Sequence, residues 1–414
     1  MRVIDMTEFK KQFAVPEDEL KIRWEKCRDF LRTLVPDASG VMAFSRLQIY
    51  YLSGSLVNGV FWLPLEGEPV LFVRRSLDRA MLESPVKNIR AFKSYSHLAP
   101  IAKECGSPLT EIIGVESGGL TWQLGEMLTS RIKEVKFKPA DKVFSFARSL
   151  KSEFELEIMR RTGELHHHAL FNVLPGRIKT GMTEREISHI IWNVFFELGH
   201  QGLMRMQSYG EEIFLGHVSA GDSGIYPSSF NGPLGLRGEH PSTPCMGNAS
   251  VTWKKGTPLS TDVGFVLEGY HTDKTQIYWG GNRESIPESV LSAQSFCEDM
   301  QSLAASMLKP GATPEAIYLA VLSEAEKRGF SEGFMGIGES KVPFLGHGIG
   351  LAVDGFPPVA KGFDLEIQKG MVFAFEPKQS IPGVGMVGVE NTFEVTADGC
   401  RSITGDDFSI IYID

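Results

Sequence analysis

The chain has 414 residues, 42% of them hydrophobic, enough for sizeable cores and for two to three domains by length. A formal net charge of −9 without any Lys/Arg block argues against a nucleic-acid or anionic-membrane surface, and five cysteines at wide, unpatterned spacing suggest neither a disulfide framework nor a zinc cage. The first eleven residues carry charges where a signal peptide needs an apolar core, and no run reaches the ~18 apolar residues of a membrane span, so the cytoplasm is the expected location. In chain order, residues 18–35 place apolar side chains at helical spacing. The short apolar runs Gly40–Phe44, Ile49–Leu52, Val57–Pro64 and Pro69–Val73 follow, separated by turn residues, then Ile112–Glu116 and a helix near Leu120–Ile132. Alternation of this kind predicts an α/β domain over 1–145. A second domain, 146–414, opens with a long helix over Glu153–Leu174. Amphipathic segments Glu184–Leu198, Glu288–Leu308 and Pro314–Arg328 alternate with strand-like hairpins, which is an α+β pattern of helices flanking a curved antiparallel sheet. Residues 209–248, rich in Gly, Ser and Pro, read as an uninterrupted loop suited to substrate binding.

Five residues in the last third stand out. Asp262 and Asp273 lie 11 residues apart in two alternating stretches joined by Glu268-Gly269, the pattern of a β-hairpin. Glu376, in Phe375-Glu-Pro, and Glu390, in Val389-Glu-Asn-Thr, lie 14 apart around Ile381-Pro-Gly-Val-Gly, a second hairpin. His347 is flanked by glycines in Gly346-His-Gly-Ile-Gly. Four carboxylates and one imidazole suit a pair of hard or borderline divalent cations, Mn, Co, Fe or Zn, and such a pair activates water at neutral pH. Most acidic residues are solvated, but each of these adjoins an apolar run, where an unpaired charge would be very costly. Consecutive histidines at 166–168 fall within a helix and point about 100° apart, which favours structural roles over one shared ion. His271, two residues before Asp273, would share its face of a strand; His217, in Gly216-His-Val-Ser, is a comparable candidate for substrate contact. Ser223 has no strand-helix elbow around it and reads as a turn residue.

The ordered set Asp-x10-Asp, Gly-His-Gly-Ile-Gly-Leu, Phe-Glu-Pro and Val-Glu-Asn-Thr resembles the pita-bread metallopeptidases, in particular their Xaa-Pro aminopeptidase and prolidase branch. The resemblance covers residues 145–414 strongly, and the earlier part resembles the creatinase-like N-terminal domain of that branch. It implies two divalent metal ions, with Asp273 and Glu390 bridging, Asp262 completing one site, and His347 with Glu376 the other; Glu376 also moves the proton. It further implies a small peptide substrate, cleavage at an Xaa-Pro amide bond, and a homodimer, for which Val57–Leu63 could furnish contacts unless it is a core strand. Departures from the pattern are Ser228 and Asp354 where histidines are usual, and Gln276 where an arginine is frequent. Tyr226 or His217 could replace a lost hydrogen-bond donor, and Asp354 at the cleft lip would favour a cationic group. A small non-peptide substrate on the same fold, or a peptide-binding relative without catalysis, are the alternative readings; retention of all five ligands weighs against the latter.

Overall fold

The structure, a computed structural model, describes residues 14–208 and 210–413. Two compact units divide between Arg148 and Ser149. The expected boundary at 145/146 falls inside the helix Asp141–Ser149.

In the first unit the helix Glu17–Leu34 opens with three acidic residues, which complement its N-terminal dipole, and buries Leu20, Trp24, Cys27 and Leu31 along one stripe. Strands β1 (Gly40–Ala43), β2 (Gly59–Pro64), β3 (Val70–Val73), β4 (Asn88–Ala91), β5 (Ile112–Val115) and β6 (Lys136–Pro139) form one sheet in the order β4-β3-β2-β1-β5-β6. One expectation fails here and one open alternative is decided. Ile49–Leu52 is helical, inside Arg46–Ser53, because Ser45 accepts a capping bond from the Gln48 N–H and Gly54, at φ 74°, ends the helix. Val57–Leu63 is no docking surface: Phe61 and Trp62 are fully buried in β2, and the Trp62 indole donates to the Ser107 carbonyl.

The second unit contains β7 (Met204–Arg205), β8 (Glu212–Ile213), β9 (Gly216–Ala220), β10 (Pro258–Leu267), β11 (Tyr270–Gly280), β12 (Phe344–Gly348), β13 (Gly355–Ala360), β14 (Val372–Phe375), β15 (Lys378–Ile381), β16 (Gly385–Gly388), β17 (Asn391–Val395), β18 (Cys400–Ser402) and β19 (Ile411–Ile413). They assemble as β19-β11-β10-β9, β13-β12-β14-β17-β18, and the pairs β15-β16 and β7-β8. The loop expected over 209–248 is therefore interrupted, since β9 pairs with β10 from Gly216 to Ala220. Helices Glu184–Glu197, Glu288–Met307 and Pro314–Lys327 stand where periodicity predicts them. The first long helix is α-helical only to His167 and continues as a π-helical turn over His168–Val173.

Strand alternation sorts the side chains of the two larger sheets. Along β10, Leu259, Val263 and Phe265 pack with Ile187, Ile191 and Phe195 of the helix Glu184–Glu197, while Ser260, Asp262 and Gly264 take the other face. Along β14 and β17, Phe373, Phe375 and Phe393 join Phe296 and Val321 of the long helices. Burying such side chains contributes about 1.5–3 kcal/mol each, so the helix-facing sides set the register and commit the opposite faces to Asp262, Glu376 and Glu390.

Candidate metal centre

The hairpin β10–β11 turns through Glu268 and Gly269, both at positive φ (49° and 83°), the geometry of a tight two-residue turn. Its register pairs Asp262 with Thr275 and Gly264 with Asp273, which puts the two aspartates diagonally opposite on one face. Glu376 links β14 to β15 and Glu390 links β16 to β17, so both stand where one long hairpin passes from one sheet to another. His347 reaches this face by an irregularity. Leu345 points into the helix-side core, and plain alternation would send His347 after it, but the β12–β13 register shifts on both sides of His347 and turns the ring to the cleft. Close strand approach explains Gly346: a Cβ there would lie 2.0 Å from the Ala374 carbonyl oxygen.

All five residues line one cavity of about 230 Å³, walled also by Met204, Met206, Glu211, Phe230 and Val353. Ligand atoms of Asp273, His347 and Glu390 lie within 4.8 Å of one another, and so do those of Asp262, Glu376 and Glu390. The structure thus groups Glu376 with Asp262, where the resemblance placed it with His347, although His347 Nε2 is only 3.8 Å from Glu376 Oε1. Thr275 Oγ stands 3.0 Å from Asp262 Oδ1 and 3.2 Å from Glu390 Oε2, so its single proton goes to one or the other.

Lys378, outside the expected ligand set, lies among the residues of the second group. Its ammonium, 1% exposed, lies 3.2 Å from Asp262, 3.2 Å from Glu376 and 2.9 Å from Glu390. Burial opposes its charge, yet Asp262, Glu390 and Glu376 together raise its pKa well above the usual value. Asp262 is likewise disfavoured as an anion by burial but held at about 2, chiefly by Lys378. Burial pushes Glu376 up to about 7 and raises Asp273 and Glu390 well above the carboxylate range. Lys378 opens β15 two residues after Glu376, and the structure brings its ammonium to the same cluster of carboxylates.

The donor set fits divalent cations. His347 is kept neutral by burial, and its Nδ1, 3.1 Å from the Gly348 carbonyl, carries the proton there, leaving the Nε2 lone pair as the ligand atom. Four carboxylates, Glu376 and Glu390 buried and Asp262 and Asp273 partly so, against one ammonium leave an excess of negative charge that a cation would balance.

The other expected residues separate. His217 lines the cavity, with Nδ1 2.9 Å from the Leu234 carbonyl. Asp354 also lines it, and its Oδ1 accepts from the Gln207 N–H at 2.5 Å; burial raises its pKa. His271 does not serve the cleft, because Nδ1 donates to the Gly350 carbonyl and Nε2 accepts from the Arg205 N–H. Tyr226 is half-exposed beside a neighbouring depression, which it shares with Ser228, Ile337 and Lys341. That places it outside the cavity lined by the five ligand residues. His166 is fully buried, 3.1 Å from Thr272 Oγ, and serves the packing.

Comparison with known proteins agrees with this geometry. Residues 157–397 match the family described as metallopeptidase family M24, and residues 23–150 match the creatinase/prolidase N-terminal domain. An Xaa-Pro dipeptidase from Pyrococcus furiosus is 23% identical over 86% of this chain and 91% of its own, and the putative dipeptidase YkvY of Bacillus subtilis is 25% identical over 71% and 70%. Among solved structures, an Xaa-Pro dipeptidase from Bacillus anthracis superposes with a TM-score of 0.78 at 19% identity, covering 94% of this chain and 100% of that one. The N-terminal domain of the FACT complex subunit SPT16 from chickpea superposes at 0.73 with 12% identity, covering 97% and 100%, so the fold by itself does not fix an activity.

Proposed function

The chain belongs to metallopeptidase family M24, and from that premise we propose that it cleaves the amide bond before proline in small peptides, Xaa-Pro dipeptides first, in a metal-dependent reaction. One observation carries this reading: all five ligand residues converge on a single cavity. Asp273, His347 and Glu390 would hold one divalent ion, and Asp262, Glu376 and Glu390 a second, with manganese, cobalt, iron and zinc all compatible with oxygen and imidazole donors. When bound, such ions supply Lewis acidity and lower the pKa of water.

The chain's own residues do the rest. Glu376, a carboxylate on the wall of this cavity, is suited to take a proton from water and return it to the leaving proline nitrogen. His217 and the apolar wall of Met204, Met206 and Phe230 orient the substrate, and Asp354 and Glu211 present acidic groups to its free amino end. The same proposal includes a cytoplasmic homodimer; among the described residues no helix is long and apolar enough to cross a membrane. Its dimer contact cannot be Val57–Leu63, which is core. Assay of the metal-loaded protein on a panel of Xaa-Pro dipeptides, longer Xaa-Pro peptides and Xaa-Ala controls tests the activity. Cleavage of Xaa-Pro substrates with discrimination against Xaa-Ala is expected, and no turnover of any member with metal bound would refute it.

A further inference from the structure

The two ligand groups are unequal. Glu390 belongs to both, but the three carboxylates of the second group, Asp262, Glu376 and Glu390, are the same three that surround the Lys378 ammonium at 2.9–3.2 Å. No ion pair joins Lys378 to Asp273, the carboxylate particular to the first group, among the described residues. An ammonium bonded to three carboxylates satisfies the electrostatic demand that a metal would otherwise meet.

The backbone holds this arrangement. Lys378 pairs with Gly388 across β15–β16, and its carbonyl accepts from the Met335 N–H at 2.9 Å. The stem runs beside Gly388, where a Cβ would stand 2.7 Å from Lys378 Cα and 3.2 Å from its Cγ, so the absence of a side chain at 388 clears the way to the carboxylates. Withdrawing the ammonium would leave it buried and unpaired, since the side chain is 1% exposed.

We propose that Lys378 is the resident cation of the Asp262–Glu376–Glu390 group, so that one divalent ion binds tightly at Asp273, His347 and Glu390 while a second enters only by displacing the ammonium. The inference rests on the metal centre of the proposed function and deepens it. Such a centre pairs one Lewis acid with one fixed charge that cannot be lost to chelation. Lys378 also donates to Glu376 Oε2, which makes it a positioning residue for the carboxylate suited to proton transfer.

Titration of the metal-stripped full chain with Mn²⁺, followed by calorimetry and elemental analysis, tests this on the wild type and on Lys378→Ala. Wild type should bind one equivalent tightly and a second at least about 100-fold more weakly, whereas the variant should bind two of comparable affinity. Two tight equivalents in the wild type, or one in a folded variant, would overturn the proposal. Electron paramagnetic resonance of wild type with two equivalents of Mn²⁺ needs no variant: an uncoupled bound ion is expected, and a spin-coupled pair at micromolar protein would sink the idea. Absence of tight metal in both proteins would overturn the metal centre as a whole, whereas two equal ions in the wild type would overturn the role of Lys378 alone.

Discussion

Removing the metal should destabilise the second unit by an amount that grows with pH. Without metal, Asp262, Asp273, Glu376 and Glu390 face a single ammonium, a charge of −3 if all ionise, in a cavity that leaves Glu376 only 5% and Glu390 only 1% exposed. Burial therefore favours protonation, with Glu376 at about 7 and Asp273 and Glu390 raised well above the usual range. A carboxyl raised in the folded state binds protons that the unfolded chain releases, so its contribution is present at low pH and is lost as pH rises through the folded-state pKa. Bound metal must expel those protons, which strengthens its hold as pH rises. At a free ion concentration 100 times the dissociation constant, linkage gives about 2.7 kcal/mol of stabilisation. For a unit of this size each kcal/mol moves the midpoint by roughly 2–4 °C, so the gap between loaded and stripped protein should be roughly 5–10 °C. Differential scanning calorimetry with Mn²⁺ and with a chelator, at pH 6 and pH 8, measures it. The gap should be wider at pH 8. An equal midpoint with and without metal, or a gap that narrows as pH rises, would refute the electrostatic account of the centre.

Glu376→Gln preserves side-chain volume and should leave the fold intact while reducing kcat on Xaa-Pro dipeptides about 10²–10⁴-fold, and a variant with full metal content and wild-type turnover would contradict the role of Glu376 in proton transfer. Gly346→Ala forces a Cβ to within 2.0 Å of a backbone oxygen and should cost about 1–3 kcal/mol in urea denaturation together with the metal bound through His347. His200, with Nδ1 accepting from the Val266 N–H among Trp192, Phe195 and Phe265, is pushed down to about 4 by burial. Because the unfolded chain binds that proton first, stability should fall by about 2–3 kcal/mol between pH 7 and 4.5, and His200→Asn, which keeps an acceptor for Val266, should flatten the slope in metal-loaded protein. Asp354→Asn retains an acceptor for Gln207 and should raise KM for dipeptides with a free amino group more than for N-blocked ones; equal effects on both would mean that Asp354 only ties the 204–213 segment in place.

Much of the second unit could be read from the chain because its signals are local. Glu268-Gly269 dictates a tight turn, and with the turn fixed, period-two alternation places Asp262 and Asp273 on one face without further information. The caps at Ser152 and Thr183 likewise fix where two helices begin. The misreadings arose where a local end-signal was outweighed by composition or where a tertiary partner decides. Ile49–Leu52 has the composition of a strand, but the cap at Ser45 and the left-handed Gly54 make it a helix. His271 does share the face of Asp273, as alternation requires, but the chain at Gly350 and Arg205 takes both of its nitrogens before any substrate can.

His347 and Lys378 show the same limit from the other side. Regular alternation would have buried His347 beside Leu345, and only an irregularity between β12 and β13 turns it to the carboxylates, so its role was legible through the pattern of glycines around it rather than through periodicity. Lys378 was overlooked, since a lysine at the start of a strand reads by default as a solvated charge. What makes it otherwise is the glycine ten residues later at 388, which leaves room for the stem, and that pairing exists only once the hairpin register is known. A set of ligand residues read from a sequence therefore identifies the carboxylates but not what balances them: the cation belonging to the second group can be supplied by the chain itself, and its presence becomes visible only when the strand carrying it is laid beside the strand that makes way for it.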